Sequence, residues 1–353
     1  MKERTVFLDK LRVAATCAVV LLHTVTGVMD HTDMGAYPLE KKVFLVILDL
    51  VCWCVPVFLL ISGYLFLNPD RELGMRKMLL KYCRRIVLAL FVFGVPYACL
   101  EQIAAERCFR WEMTGKAFLM VARGESWSHL WYLYLILILY LLTPAIRKLL
   151  AILPRPVLYI LLAGLFAGSS VLPWLAKLLE TETIRGLPDW GIYFFYYISG
   201  SLFRQKSGSL ADTESPGAAK AIAGYAWTAA AVLAAAMACS RLNGNYTVQM
   251  AYNYPFTTVL SLLIFGGGST LCRMVPREGK AMDGFWKQAA GLCFAVYLVH
   301  PVFLNTAYKF LHVTPLSFPI GISLPVFWGA ALLLSAAAAR ILCGISTLKR
   351  YVL

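Results

Sequence analysis

The feature that most constrains this chain is a succession of apolar runs, most of them close to the length of a membrane crossing. A helix needs about 20 predominantly apolar residues to cross the hydrocarbon of a bilayer. Ten candidate runs follow one another, at roughly 8–28, 43–67, 80–100, 129–146, 157–175, 190–203, 220–240, 254–271, 289–309 and 320–343. The sixth is short, and the eighth is interrupted by Gly266, Gly267 and Gly268. The expected fold class is all-α, a polytopic membrane bundle of about ten transmembrane helices. Composition points the same way: 60% of the residues are hydrophobic and 15% charged, against about 45–50% and about 25% in soluble domains. Such a balance excludes a disordered chain and argues against a soluble enzyme.

The formal charge is +14, but no soluble domain is expected that would carry a basic face for nucleic acid. Membrane proteins collect Lys and Arg in cytoplasmic loops. With the N-terminus inside and ten crossings, 23 of the 33 basic residues fall on the inner side. Both termini are therefore expected to be cytoplasmic. The first run is not expected to be a cleaved signal peptide, since it is long, contains His23 and lacks a small-x-small cleavage site. Residues 1–353 read as a single membrane-embedded domain with no appended soluble one. The polar stretch from Arg204 to Lys220 reads as a flexible cytoplasmic connector. The outer stretch from Gln102 to Ser128, with Trp111 and Trp127, is expected to lie on the membrane surface. A six-residue echo, Ile61–Phe66 against Ile198–Phe203, is too short to establish a repeat. The ten cysteines lie mostly inside apolar runs and read as small buried hydrophobes. Neither zinc spacing nor a disulfide framework is evident, and no metal is expected.

Ionisable groups inside apolar runs cost several kcal/mol unless paired or wetted, so each is a candidate site residue. Arg12 and His23 are eleven residues apart in the first run. Eleven helical steps return to within about 20° of the same face after a rise of about 16 Å. One stripe then carries a fixed cation at the inner end and a titratable base deeper in, with Asp9 placed to pair with Arg12. Lys77, Lys81, Arg84 and Arg85 form a basic ladder at the start of the third run, suited to a phosphate-bearing ligand. His129 and Trp131 stand at the mouth of the fourth run, and His300 precedes Pro301 in the ninth. Asp49 is a lone acid in the second run, a possible partner for a His or Arg. His31 and His312 fall in expected loops and receive no role.

With these residues in view, the chain resembles the acyltransferase family 3 membrane proteins. The resemblance rests on Leu8-Asp9-Lys10-Leu11-Arg12 with His23 eleven residues after Arg12, then Val55-Pro56-Val57-Phe58-Leu59-Leu60-Ile61-Ser62-Gly63-Tyr64. Arg84-Arg85, His129-Leu130-Trp131-Tyr132-Leu133 and Tyr297-Leu298-Val299-His300-Pro301 follow in order. It spans nearly the whole chain. The resemblance implies an acyl-CoA donor, usually acetyl-CoA, on the cytoplasmic side. It also implies a cell-envelope carbohydrate or lipid-linked acceptor on the outer side, and a bacterial source. His23 matches the family's essential histidine, and Arg12 and Arg84-Arg85 match its essential arginines. Residues 1–353 are not expected to include the fused extracytoplasmic hydrolase-like domain of some members.

The residues agree physically with that reading. A basic ladder is an electrostatic funnel for the phosphates of CoA. A neutral His23 can take the proton of an acceptor hydroxyl or carry the acyl group covalently, and Arg12 can stabilise an oxyanion. The sequence leaves base and relay both open, as it does the oligomeric state. The alternative is a transporter or exporter of a small polar solute or envelope precursor, favoured by the short sixth run, the glycine run and Pro301.

Overall fold

The computed structural model describes residues 6–181, 183, 186–205, 217–242, 251–274 and 279–353. Among them there is no strand, and the fold is an all-helical bundle. Seven helical stretches are long and apolar enough to cross a membrane. They are α1 (Val6–His31), the pair α2 (Pro38–Val51) and α3 (Cys54–Phe66), α4 (Met75–Glu106), α6 (Trp131–Ile152, with a short turn before it), α7 (Arg155–Leu178), α11 (Lys280–Phe310) and α12 (Ile320–Gly344). Three further helices fall on the other expected runs: α8 (Gly191–Gln205), α9 (Gly217–Leu242) and α10 (Pro255–Met274). The apolar stretches of α9 and α10, Ile222–Ala236 and Pro255–Leu271, fall short of the span length. Two amphipathic pieces complete the chain, α5 (Glu112–Arg123) and α13 (Ser346–Tyr351).

The second run forms one span-length stretch, Pro38–Phe66, in which Cys52 and Trp53 make a turn between α2 and α3. Pro56, lacking an N–H, sits in the first turn of α3, where no intrahelical donor is required. The stretch after Gln102 is helical over most of its length. α4 runs on to Glu106, Arg107 adopts the left-handed conformation at φ 53°, and α5 folds back onto α4. Met113, Ala117 and Val121, each four residues from the next, are the buried face of α5. Gln102 Nε2 donates to the Met113 carbonyl at 3.1 Å and ties the two helices together. The Arg204–Lys220 connector lies largely outside the described residues.

α1 is the central helix, packing against α2, α3, α10, α11 and α12. Its Thr16 and Thr24 hydroxyls donate to the Arg12 and Val20 carbonyls one turn back, so neither buried hydroxyl is left unsatisfied. α12 shows the opposite environment. Ile322, Val326, Leu333 and Ile341 recur on one of its faces and are all exposed, as a lipid-facing stripe requires. α3 and α8 cross closely where Gly63 meets the Tyr197 backbone and Gly200 meets the Leu60 backbone. Arg147 of α6 closes the other end of α3: its guanidinium donates to the carbonyls of Phe66, Asn68, Pro69 and Arg71.

Candidate active site

Three histidines from distant parts of the chain meet inside the bundle. His23 comes from α1, His300 from α11, and His129 from the turn before α6. Ring centroids are 4.9 Å apart for His23 and His300, 5.9 Å for His129 and His300, and 6.3 Å for His23 and His129. His300 is fully buried and His129 nearly so. Nδ1 of His300 lies 3.1 Å from the Val296 carbonyl, which only a protonated nitrogen can satisfy. Its Nε2 is then an acceptor, 3.1 Å from Nδ1 of His23. Nδ1 of His23 also faces the Val19 carbonyl at 3.0 Å. The consistent arrangement places a proton on His23 Nδ1, shared between Val19 and His300, and a free lone pair on His23 Nε2.

Local sequence explains why these rings hold their places. Pro301 lacks an N–H and so frees a carbonyl one turn back in α11. Tyr97 donates to the Leu298 carbonyl at 2.7 Å, and Tyr297 donates to the His129 carbonyl at 2.6 Å. Tyr97 also stacks on Trp127, with ring centroids 4.1 Å apart. Tyr308 donates to the Thr24 carbonyl at 3.1 Å. Its ring lies so close to Gly27 that a Cβ there would stand 2.8 Å from it.

His23 and His129 line a cavity of about 360 Å³, with His300 buried behind His23. On α1 its lining runs from His23, the innermost, to His31 at the helix's C-terminal end. Glu101 and Lys309 form an ion pair in its wall. Asp30, Glu125, Trp127 and Tyr308 also face it. His31, expected in a loop, is thus the last residue of α1 and part of this wall. Sequence reading also passed over Tyr97, Glu101, Tyr308 and Lys309. Their one local signal is that Glu101 and Lys309 are charges at the edges of apolar runs. Among the described residues no cluster of three or more His, Cys, Asp or Glu side chains is arranged to hold a metal ion.

Arg12 stands toward the opposite end of α1, its Nη1 3.4 Å from Asp9 Oδ1. α1 is unbroken between Arg12 and His23, so the rise of about 16 Å separates them and they cannot act on one carbonyl. Near Arg12 are Tyr132 and Tyr140 of α6, with Ser62 of α3 within reach of both phenols. A chain of rings leads from there to the histidines. Tyr132 lies 6.0 Å from Tyr297, and Tyr297 lies 5.7 Å from His129 and 6.3 Å from His300, centroid to centroid.

The basic ladder does not converge. The Lys77 ammonium donates to the Glu72 carbonyl, Lys81 lies over the Tyr82 ring, and Arg84 lies over Tyr351 of α13. Arg85 turns inward, its Nε donating to the Val352 carbonyl at 3.1 Å and its guanidinium over Phe294. A π-helical segment over Met78–Cys83 shifts the helical phase within the ladder, and adjacent residues differ by about 100° in direction. Asp49 is half-buried, near Cys52, and is not part of the cavity wall. Trp131 stacks on Tyr252 and packs beside Tyr193, outside the histidine cluster.

Fold and site together define a polytopic helical membrane protein that carries a hydrogen-bonded imidazole pair, one member of which, His23, lines a cavity. A family model described as an acyltransferase domain matches residues 5–343, nearly the whole chain. The chain therefore belongs to acyltransferase family 3, a family of membrane acyltransferases. Comparison with curated proteins and with solved structures found no match.

Proposed function

We propose that this protein is a multi-pass cell-membrane O-acyltransferase. It moves an acyl group, acetyl in the simplest case, from cytoplasmic acyl-CoA to a hydroxyl of an envelope carbohydrate or lipid-linked acceptor. The observation that carries the reading is the 3.1 Å contact between His300 Nε2 and His23 Nδ1 beside a cavity. This pair fixes the His23 tautomer and leaves Nε2 as a base. The family match supports acyl transfer as the reaction class.

In the reaction, His23 Nε2 takes the proton of the acceptor hydroxyl as its oxygen attacks the thioester carbonyl. The tetrahedral intermediate collapses, the carbon–sulfur bond breaks, and the leaving CoA thiolate takes the proton back from the His23 imidazolium. The products are an ester and CoA thiol. His300 acts as a positioning residue through His23 Nδ1. Arg12, with Tyr132 and Tyr140 beside it, meets the donor at the inner end of the ring chain. Arg85 is the inward-facing member of the Arg84-Arg85 pair, and with Lys77 and Lys81 it contributes to an inner field that draws in anionic CoA. The base reading is preferred over the acyl-histidine relay because His23 lines a cavity with room for an acceptor hydroxyl.

The test is acetyl-CoA thioester consumption in inside-out vesicles from cells that retain their own acceptors. Wild type is compared with His23→Ala at matched membrane levels. Release of CoA thiol by wild type alone supports acyl transfer through His23. Equal traces from wild type, variant and empty vesicles overturn it and favour solute flux.

A further inference from the structure

We infer that the cavity beside His23 is an acceptor site selective by charge: it takes polyhydroxylated acceptors of zero or positive charge and turns away anionic ones. The word acceptor rests on the acyl-transfer reading above; the charge selection rests on the cavity itself.

Two buried polar atoms in the wall have no partner. Nε2 of His129, a residue only 3% exposed, makes no hydrogen bond, and neither does Nε1 of Trp127. Burying such atoms unpaired is costly, and a site built to pair them with a ligand explains their persistence. Indole N–H is a donor only, and the imidazole nitrogen can donate or accept. A hydroxyl group both donates and accepts, so neighbouring hydroxyls on one ligand satisfy both atoms. The volume of about 360 Å³ lies within the usual small-molecule range of about 300–1,000 Å³.

Charge in the wall is one-sided. Asp30, Glu101 and Glu125 face Lys309, and Lys309 is already paired with Glu101. Among the described residues, Asp30 and Glu125 have no ion-pair partner. A cleft lined by one sign of charge concentrates ligands of the opposite sign and depletes those of its own. An approaching carboxylate or phosphate therefore meets two uncompensated carboxylates before it reaches His23. The same field keeps the phosphates of CoA out of this cavity, while the basic groups lie toward the Arg12 end of the fold.

Three probes of one shape test this: methyl glucoside, methyl glucosaminide and methyl glucuronide. Binding to the full chain in nanodiscs is followed by saturation-transfer NMR at pH 8. The neutral and amine-bearing glycosides are expected to bind about tenfold tighter than the uronide. In the double variant Asp30→Asn, Glu125→Gln the gap is expected to close. Uronide binding as tight as the glucoside, absence of saturable glucoside binding, or a gap unchanged in the double variant each overturns the inference. Thiol release on adding acetyl-CoA is read in parallel. Charge-ranked binding without thiol release from any glycoside keeps the selection and overturns acyl transfer. Thiol release at equal rates with all three overturns the selection alone.

Discussion

Gly63 and Gly200 face opposite backbones across the α3–α8 crossing. A Cβ on Gly63 would fall on the Tyr197 carbonyl, and one on Gly200 would fall on the Leu60 carbonyl. Small residues let membrane helices approach this closely, because lipid supplies little hydrophobic drive and contact area must come from backbone proximity. This contact accounts for the echo between Ile61–Phe66 and Ile198–Phe203. The two segments are alike where each must admit the other.

The crossing sets the first prediction. Gly63→Ala or Gly200→Ala should destabilise the folded protein by about 1–3 kcal/mol, the usual cost of overpacking. Gly329→Ala, where a Cβ meets open space, is the control and should be neutral. Thermal unfolding in detergent micelles, followed by circular dichroism, measures both.

The imidazole pair sets the second. His23→Gln should lower acyl transfer by about 10²–10⁴-fold, the range of a lost general base. His300→Ala leaves the base in place but removes its orienting acceptor. It should lower kcat by less than His23→Gln and leave the KM for acyl-CoA unchanged. A thiol-release assay over a range of acyl-CoA concentrations separates the two parameters.

Arg147 should matter for stability although it stands outside the histidine cluster. Its guanidinium satisfies four carbonyls at the end of α3. Hydrogen bonds to a charged group contribute about 1.5–3 kcal/mol, so Arg147→Met should sharply lower the yield of folded protein. Arg147→Lys should rescue it only in part, because an ammonium cannot reproduce the planar fork. Size-exclusion profiles of the purified variants report the monodisperse fraction.

The Glu101–Lys309 ion pair is expected to be weak as a staple. The two side chains are 36% and 29% exposed. Pairs that reach solvent contribute about 1 kcal/mol or less. Lys309→Met should therefore shift the unfolding midpoint little, and raising the salt concentration should erase the difference from wild type. Differential scanning fluorimetry at low and high salt checks this.

Donor residues should separate by direction rather than by charge. Arg85 turns inward and Arg84 lies exposed over Tyr351. Arg85→Ala is expected to raise the KM for acyl-CoA more than Arg84→Ala, and Arg12→Ala more than either. Initial rates at varied acyl-CoA give the order.

The spans and the Arg12–His23 stripe were legible in the sequence because each depends on local properties. Apolar runs must bury or face lipid, and helix geometry alone puts residues eleven apart on one side of one rod. The polar exceptions His129 and His300 were visible as anomalies for the same reason. Their meeting was not: His300 is 277 residues from His23, and no local rule joins two such positions. The basic ladder was legible as a run of charges, but not where each member points, because a π-helical segment changes the helical phase within it. The α5 return was missed because its apolar face, at Met113, Ala117 and Val121, is short and its partner α4 precedes a turn at Arg107.

The amino-acid sequence by itself determined the class of fold, the family, and which ionisable groups sit inside apolar helices. Only tertiary structure decided that three histidines converge, that Asp30, Glu125 and the Glu101–Lys309 pair surround one cavity, and that Arg147 caps another helix. The physical reason is one of range. Hydrophobicity and helix pitch act within a few turns of chain, whereas the neighbours of a side chain are set by how whole helices pack, and that depends on contacts between residues far apart in sequence.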